Sequence, residues 1–307
     1  MDPDNVFCHN TNCPASGKLG LKNIGVHSLK QGRYICHVCK KTFTDTKGTV
    51  FYRLKHSDEF VALIIPLIAF GCPITAIVKA FGLDERTVAD WQRRAGIHCQ
   101  KVHQHLVQQP RDLGQVQADE IRVKHQGGIA WLANGKRGRP SLKAYENLCI
   151  IRVIKQVSGK KVMGITQRIA CGTWKQACLL LKQTQNTLSF HVCYIERINA
   201  TFRSRITSLI RRGRSLVRQL VTLRNGMYLV GSVYNFCTPH KSLRKVLYLP
   251  DNLHRWILMT PAMATGITDH VWTVSELLSY QVPLSPWKQP RGRPSKRMKE
   301  IISKWNL

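Results

Sequence analysis

Two close pairs of cysteines near the start of the chain restrict its fold more than any other feature of the sequence. The pattern is Cys8-x4-Cys13, then 22 residues, then Cys36-x2-Cys39. Pairs spaced in this way can present four thiolates to one tetrahedral Zn²⁺ ion. A short segment with few large apolar side chains needs such a cross-link, because its own core is too small to keep it folded. Residues 1–50 are therefore predicted to form a zinc ribbon.

The packing beside the metal and the identity of one ligand stay open at this point. Tyr34, Phe43 and Phe51 are the large apolar residues that we expect to form the small core of the ribbon. The first cysteine pair is spaced more widely than the second, so His9 or His37 could replace one thiolate. The alternative to metal binding is chance clustering of the cysteines.

The remaining cysteines and the apolar runs indicate the cellular compartment of the protein. Seven of the eleven cysteines are scattered, unlike the disulfide framework of a small secreted protein. The polar, acidic start is not that of a signal peptide. The most apolar run, residues 61–70, contains Pro66 and is shorter than the ~20 residues that span a bilayer. We expect a reduced cytoplasmic protein that does not enter a membrane.

The chain is strongly basic, and this indicates a polyanionic partner. Lysine and arginine number 47 against 17 acidic residues, which gives a formal net charge of +30. Such a charge repels itself unless a polyanion offsets it. The hydrophobic content of 43% is too high for a disordered polycation. An anionic membrane surface is the competing partner, but no basic amphipathic anchor stands out, so nucleic acid is expected.

Residues 57–96 have the pattern of three short helices that form a helix-turn-helix. Ser57 and Asp84 are suited to cap the first and third helices, and Gly82 is suited to the turn between the second and third. In the third helix Val88 and Trp91 are predicted to face inward. The residues predicted to face outward and contact DNA are Arg86, Thr87, Gln92, Arg93 and Arg94. Such a helix can enter a major groove; the alternative is an ordinary helical hairpin with a solvated face.

Two carboxylates in the second half of the chain are candidate ligands for a divalent metal. Asp119 lies in the predicted strand VQADEIRVK, within a chain that has few acids. Glu196 lies in the first turn of a predicted amphipathic helix whose apolar stripe is formed by Ile195, Ile198, Phe202, Ile206, Leu209 and Val217. Two carboxylates that hold Mg²⁺ beside DNA can support phosphoryl transfer. The alternative for Glu196 is a surface residue that favours the positive end of the helix dipole.

The order of these motifs resembles that of transposases of the insertion-sequence-one kind. The sequence motifs that carry the resemblance follow the ribbon and the helix-turn-helix. They are QADEIRVK, YIERINATFRSRI, YNFCTPHKSLR and TPAMATGITDHVWTV. The resemblance implies an integrase-type, ribonuclease-H-like domain in which two Asp and one Glu hold catalytic Mg²⁺ or Mn²⁺. It implies that Asp119 is the first carboxylate and Glu196 the last, with Asn235 and His240 supporting the site.

One catalytic residue of that family pattern has no counterpart in this sequence. Between Asp119 and Glu196 the acids are Glu120 and Glu146. Glu120 follows Asp119 directly, so on a strand it points to the opposite face. An internal deletion between about Ala133 and Lys136 is one explanation for the missing Asp. The alternative is that Glu146 completes the site as the third carboxylate.

Several basic segments are further candidates for DNA contact. The repeated word RGRPS resembles the core of an AT hook, whose arginines can lie in a narrow minor groove. The alternatives are generic phosphate contact and a merely solvated loop. The arginines of these two segments are Arg137, Arg139, Arg291 and Arg293. Four arginines within and after the predicted Glu196 helix are expected to contact phosphates: Arg203, Arg205, Arg211 and Arg212.

The sequence therefore predicts a multidomain α/β protein. The expected parts are a zinc ribbon at 1–50, a helix-turn-helix at 57–96, an incomplete ribonuclease-H-like α/β domain at 113–286 and a basic tail at 287–307. The resemblance implies a bacterial, nucleoid-associated DNA transposase that binds double-stranded DNA at element ends and at the target. A homodimer is expected, because two ends must be brought together. The competing functions are a catalytically defective remnant that only binds DNA and an unrelated zinc-ribbon transcription or RNA-binding protein.

Overall fold

The computed structural model describes most of the chain as helices and small antiparallel sheets. The described residues are 2–109, 121–125, 128–132, 149–159, 161–185, 193–210, 216–248, 254–285, 287–289, 292 and 295–305. The chain divides into two compact units, one formed by Met1–Gln109 with Arg224–Leu307 and the other by Pro110–Leu223. These units divide the chain at different places from the predicted domains. No helix in the described ranges is long and apolar enough to cross a bilayer.

The ribbon is a three-stranded antiparallel sheet. Its strands are β1 (Ile24–Ser28), β2 (Arg33–Cys36) and β3 (Thr42–Thr44), with β2 in the middle. Tyr34 is paired with Phe43 across β2 and β3, and both are buried beside the cysteines as predicted. Phe51 is different, because it packs in the helical core of the same unit and not in the ribbon. The prediction that Phe51 belongs to the ribbon core is therefore wrong.

Three helices follow the ribbon: α1 (Asp58–Ala69), α2 (Ile74–Phe81) and α3 (Glu85–Leu106). The Ser57 side chain caps α1 by accepting a hydrogen bond from the backbone of Phe60. The Asp84 side chain caps α3 by accepting from the backbone N–H groups of Arg86 and Thr87, at 2.8 and 3.3 Å. Gly82 ends α2 with φ +64°, a conformation that glycine adopts without strain. The starts of α1 and α3 and the turn are thus those that the sequence predicts.

Helix α3 continues to Leu106 and does not end at residue 96 as predicted. The reason is that its buried face continues beyond Gly96 through His98, Cys99 and Val102. That face packs on residues from the C-terminal part of the chain, which supply Leu229, Val233, Phe236, Ala262, Leu277 and Leu278 to one continuous core. A helical core therefore joins α3 to residues that the sequence analysis assigned to the ribonuclease-H-like domain at 113–286.

The C-terminal part of this unit contains further helices, a π-helical turn and a two-stranded hairpin. They are α6 (Leu220–Ser232, whose first four residues lie in the other unit), the π-turn (Val233–Cys237), β8 (Lys245–Tyr248), β9 (His254–Ile257), α7 (Pro261–Ala264) and α8 (Val274–Ser279). The last described helix is α9 (Lys296–Trp305). Ile301 and Trp305 of α9 pack against the ribbon core. The predicted basic tail at 287–307 thus contains a helix that docks on the zinc ribbon.

The second unit contains two hairpins and two helices in its described part. Strands β4 (Ile121–His125) and β5 (Gly128–Leu132) form one antiparallel pair, and β6 (Ile150–Ser158) and β7 (Lys161–Cys171) form another. The second pair is a long hairpin within residues 148–172. Helices α4 (Trp174–Gln185) and α5 (Cys193–Arg205) follow. Within the described ranges these strands form separate two-stranded sheets, so the predicted ribonuclease-H-like arrangement stays a prediction.

Helix α5 is shorter than the apolar stripe predicts. It ends at Arg205, Ile206 is extended with φ −117°, and a short 3₁₀ turn covers Thr207–Leu209. Ile206, Leu209 and Val217 therefore lie outside the helix. Leu209 and Val217 are still buried, so the apolar residues were correctly assigned to a core although their helical periodicity was not.

A buried histidine in α3 predicts that the stability of the first unit depends on pH. Nε2 of His98 lies 3.0 Å from the carbonyl oxygen of Leu277 at the end of α8. Burial lowers the pKa of His98 to about 4, from an ordinary value of about 6.5. As pH falls, the unfolded chain binds a proton before the folded chain does. The contribution of neutral His98 is therefore complete above about pH 6.5 and is lost between about pH 6.5 and 4.

We expect the free energy of unfolding to fall over that interval by an amount on the order of 3 kcal/mol from this residue. Urea unfolding at neutral and acidic pH measures it. The variant His98→Gln can still donate to Leu277 but does not titrate, so its stability should depend less on pH. An unchanged pH dependence in His98→Gln would contradict the assignment.

Candidate zinc centre and DNA-binding surface

The four predicted cysteine ligands converge on one point. The Sγ atoms of Cys8 and Cys39 are 3.7 Å apart, and those of Cys13 and Cys36 are 4.0 Å apart. All four sulfurs lie within 4.8 Å of one another. Four thiolates at about 2.3 Å from a tetrahedral zinc ion lie roughly 3.8 Å from each other, so the observed spacing fits that ion. These cysteines can hold a structural metal such as zinc.

Neither histidine is needed to complete this ligand set. Among the described residues, the four cysteines form the one group of three or more side chains placed to share a metal ion. The ring of His9 packs instead near the rings of Phe7 and Phe43, with centroids 4.6 and 5.2 Å away. The ligand question that the wider first spacing left open is thus answered in favour of four sulfurs.

Tight turns bring each cysteine pair to the site. In the first turn the N–H of Cys13 donates to the carbonyl of Asn10 at 2.9 Å. In the second turn the N–H of Lys40 donates to the carbonyl of Cys36 at 2.7 Å, and Lys40 has φ +58°. The buried Asn23 side chain donates to Sγ of Cys36 at 3.5 Å, a contact that orients this ligand from outside the cluster.

Hydrogen bonds between the closely spaced sulfurs shift the pKa values of the cysteines. A hydrogen bond from the Cys13 thiol lowers the pKa of Cys36 to about 2. The same hydrogen bond raises the pKa of Cys13 to about 12. Hydrogen bonds to Cys13 and Cys36 also raise the pKa of Cys8. A bound divalent cation would supply the charge that holds all four sulfurs deprotonated.

The first three turns of α3 present the residues predicted to contact DNA. Arg86 is exposed, while Thr87 and Gln92 are half-buried. Val88 and Trp91 are buried on the opposite side, as predicted. The side chain of Arg93 is 55% exposed and that of Arg94 is 35% exposed. Arg86 and Arg93 are therefore the more accessible cations of this surface.

Asp90, which was not among the residues predicted from the sequence, also lies within this surface. Asp90 Oδ1 accepts from Arg93 at 2.5 Å, and Asp90 Oδ2 accepts from Arg94 at 2.7 Å. Burial raises the pKa of Asp90, but hydrogen bonds from Arg93 and Arg94 outweigh this and hold it below its usual value. The spacings of three and four residues along a helix are the signal that could have identified these pairs.

Arg94 has a structural contact that its predicted role did not include. Its Nη1 donates to the backbone carbonyl of Tyr52 at 3.1 Å, while its Nε donates to Asp90. Arg94 thereby joins α3 to the segment that connects the ribbon to α1. Of the five α3 residues predicted to contact DNA, this one is the most firmly engaged within the protein.

The predicted catalytic residues are only partly within the described ranges. Asp119, Glu120 and Glu146 lie outside the described residues. Glu196 lies in the first turn of α5, as predicted, and its carboxylate accepts from Nζ of Lys155 on β6. Lys155 was not among the predicted site residues. This ion pair is partly exposed, with 46% of the Glu196 side chain accessible, so a competing cation can reach the carboxylate.

Asn235 and His240 lie in the unit formed by Met1–Gln109 and Arg224–Leu307, whereas Glu196 lies in Pro110–Leu223. Asn235 belongs to the π-turn, and π-helical turns are frequent at functional sites. The ring of His240 packs on that of Tyr234 with centroids 4.2 Å apart. The His240 backbone N–H donates to the carbonyl of Met259 at 2.9 Å. These contacts tie the YNFCTPH segment into its own unit.

The arginines predicted to contact phosphates are only partly within the described ranges. Arg203 and Arg205 are half-buried in the last turn of α5. The remaining predicted arginines lie outside the described residues: Arg137, Arg139, Arg211, Arg212, Arg291 and Arg293.

Comparison with known proteins does not identify a family for this chain. No family model matches the chain, and no match is found among curated proteins or among solved structures. A functional assignment therefore depends on the sequence motifs and on the contacts described above.

Proposed function

We propose that this chain is a DNA transposase of the insertion-sequence type, in which the ribbon and α1–α3 bind double-stranded DNA at the element ends. The observation that carries the proposal is the start of α3. A tight turn at Gly82 leads into a capped helix whose exposed side carries Arg86 and Arg93. The N-terminal residues of such a helix contact base edges in the major groove. The net charge of +30 favours association with the DNA backbone.

The carboxylate of Asp90 competes with DNA phosphates for Arg93. In the free protein Asp90 neutralises Arg93 and holds it along the helix. A DNA phosphate that binds Arg93 must compete with this carboxylate. Arg86 is exposed about two turns closer to the start of the helix than Arg93, so we assign the first base contact to Arg86 and a phosphate contact to Arg93.

The proposed reaction is metal-dependent cleavage of DNA strands and their transfer to a target. Mg²⁺ or Mn²⁺ held by carboxylates activates a water molecule and stabilises the departing oxygen. By resemblance, Asp119 and Glu196 are the carboxylates. Lys155 donates to the Glu196 carboxylate and orients it, and a bound metal ion would take the place of this ammonium group as its partner. Homodimerisation belongs to this proposal, because two element ends take part.

A second candidate function is a catalytically defective remnant that binds element ends without cutting them. The absence of any Asp between Asp119 and Glu196 favours it. In this reading the zinc centre and α3 keep their roles.

The variant Arg86→Ala tests the DNA-binding part of the proposal. Loss of one bidentate base contact costs about 1–3 kcal/mol, so binding to duplex DNA from the element ends should weaken by about 5-fold to 150-fold. Fluorescence anisotropy with end and unrelated duplexes measures both affinity and preference. Lys101→Ala is the control, since Lys101 is an exposed cation further along α3. Equal affinities for Arg86→Ala and the wild type would contradict this placement of the helix.

A nicking assay separates the two functions. The protein is incubated with a supercoiled plasmid that carries the element ends, in Mg²⁺ and then in Mn²⁺. We expect specific nicks from a transposase, and we expect both Asp119→Asn and Glu196→Gln to abolish them. Glu300→Gln, a change in α9, is the control. Retained binding without nicks in either metal would reject catalysis and support the remnant.

A further inference from the structure

The β8–β9 hairpin presents aromatic side chains on one face. In its register Val246 is opposite Trp256 and Tyr248 is opposite His254. Successive side chains of a strand point to opposite faces, so Tyr248 and Trp256 lie on the same face. They occupy diagonal positions of the ladder, which are about 7–8 Å apart.

These aromatic residues are unusually accessible. Tyr248 is 82% exposed and Trp256 is 42% exposed. Leu258, two residues after Trp256, is also exposed. Contiguous exposed apolar surface of this kind marks a binding site more often than single apolar residues do.

The same hairpin is cationic. The Arg244 guanidinium lies over the Trp256 ring, 3.8 Å from its centroid. Lys245 and Arg255 are exposed on the opposite face of the hairpin. Between Arg224 and Thr268 the sequence contains one acid, Asp251. The hairpin therefore combines aromatic rings with positive charge, which is complementary to a polyanion that carries flat bases.

We propose that the β8–β9 hairpin binds unpaired nucleotides of single-stranded DNA by stacking bases on Trp256 and Tyr248. Arg244, which lies over the Trp256 ring, offsets the phosphate charge, and Lys245 and Arg255 on the opposite face add to the general attraction for a polyanion. Proteins that bind single strands combine aromatic stacking with a basic surface in this way.

This inference goes beyond duplex recognition by α3 and does not depend on it. Cleavage at an element end would expose unpaired strands, and that link alone rests on the proposed function. A hairpin that binds unpaired bases should discriminate single strands from duplexes, because paired bases do not offer their faces to Trp256. The two surfaces can therefore be separated by the form of DNA that each variant fails to bind.

The test uses the full chain and a labelled oligothymidylate of about 20 nucleotides, with binding followed by anisotropy. Trp256→Ala and Tyr248→Ala should each weaken binding by about 5-fold to 150-fold, since stacking contributes about 1–3 kcal/mol per base. Trp256→Phe keeps an aromatic ring and should retain most of the affinity. Duplex binding by all three variants should stay within about twofold of wild type.

Leu247→Ala is the matched control, because Leu247 is exposed on the opposite face of the same hairpin. It should bind oligothymidylate as the wild type does, and circular dichroism should show that every variant is folded. Wild-type affinity in both aromatic variants would overturn the proposal. Equal losses for single strands and duplexes would also overturn it. Arg86→Ala should show the reverse pattern, so failure of the duplex proposal is distinguishable.

Discussion

Replacement of Cys36 by serine is expected to unfold the ribbon and to abolish tight binding to duplex DNA. The Cys36 side chain is fully buried, lies 4.0 Å from the Cys13 sulfur and accepts from Asn23. A structural zinc ion contributes about 10–16 kcal/mol to the folding of small zinc domains. The ribbon has a small core of its own, centred on Tyr34 and Phe43, and this core cannot replace that contribution.

The unfolding should spread to α9 but should not reach the helical core. Ile301 and Trp305 lose their packing surface when the ribbon core is lost. The core around Val61, Trp91 and Leu277 is a separate cluster, so α1–α3 should keep their structure. We therefore expect partial loss of secondary structure in Cys36→Ser, loss of bound zinc by elemental analysis, and at least about a tenfold loss of duplex affinity.

Cys171→Ser is the control for this prediction. Cys171 is exposed at the end of β7 and lies outside the metal-ligand group. It should bind one zinc ion per chain and retain duplex affinity. Treatment of the wild type with a chelator should reproduce the Cys36→Ser result, and zinc should reverse it. A Cys36→Ser variant with full zinc content and an intact ribbon would contradict the four-sulfur site.

The parts of the structure that were predictable from the sequence depend on neighbours along the chain. The ribbon follows from two cysteine spacings, because each pair needs only a tight turn. The starts of α1 and α3 follow from Ser57 and Asp84, whose side chains bond to backbone within three residues.

The parts that were not predictable depend on contacts between distant segments. The extension of α3 to Leu106 is stabilised by Leu229, Phe236 and other residues more than a hundred positions later. The docking of α9 on the ribbon depends on two apolar residues in a segment whose composition indicated a solvated tail. Arg94 was assigned to DNA from its charge, yet its position is set by the backbone of Tyr52.

Replacement of Gly96 by alanine is expected to destabilise the unit that contains α3, against the usual preference of helices for alanine. A Cβ atom at this position would lie 2.5 Å from the carbonyl oxygen, 2.6 Å from Cβ and 2.7 Å from the carbonyl carbon of Asn225. Two of these are backbone atoms, so α6 must move as a whole to make room. Overpacking of this kind costs about 1–3 kcal/mol or more.

The sign of the effect identifies its cause. At an exposed helical position, Gly to Ala would stabilise by about 1 kcal/mol, so a loss of stability can come only from the close approach of α6. Thermal unfolding should show a midpoint lowered by roughly 3–10 °C. Gln100→Ala, a partly exposed change on α3, should stay within about 0.5 kcal/mol of wild type.

Asn225→Ala provides the decisive combination with Gly96→Ala. It removes the amide of Asn225 but leaves its carbonyl group and Cβ, the three atoms that the new methyl group would meet. The Asn225 amide is buried without a hydrogen-bond partner among the described residues, so Asn225→Ala can change stability by itself and is also measured alone. The coupling energy between the two changes should be close to zero. A coupling energy that restores stability would mean that the Asn225 amide, and not the backbone of α6, limits the space beside Gly96. The crossing of α3 and α6 would then be looser than these distances require.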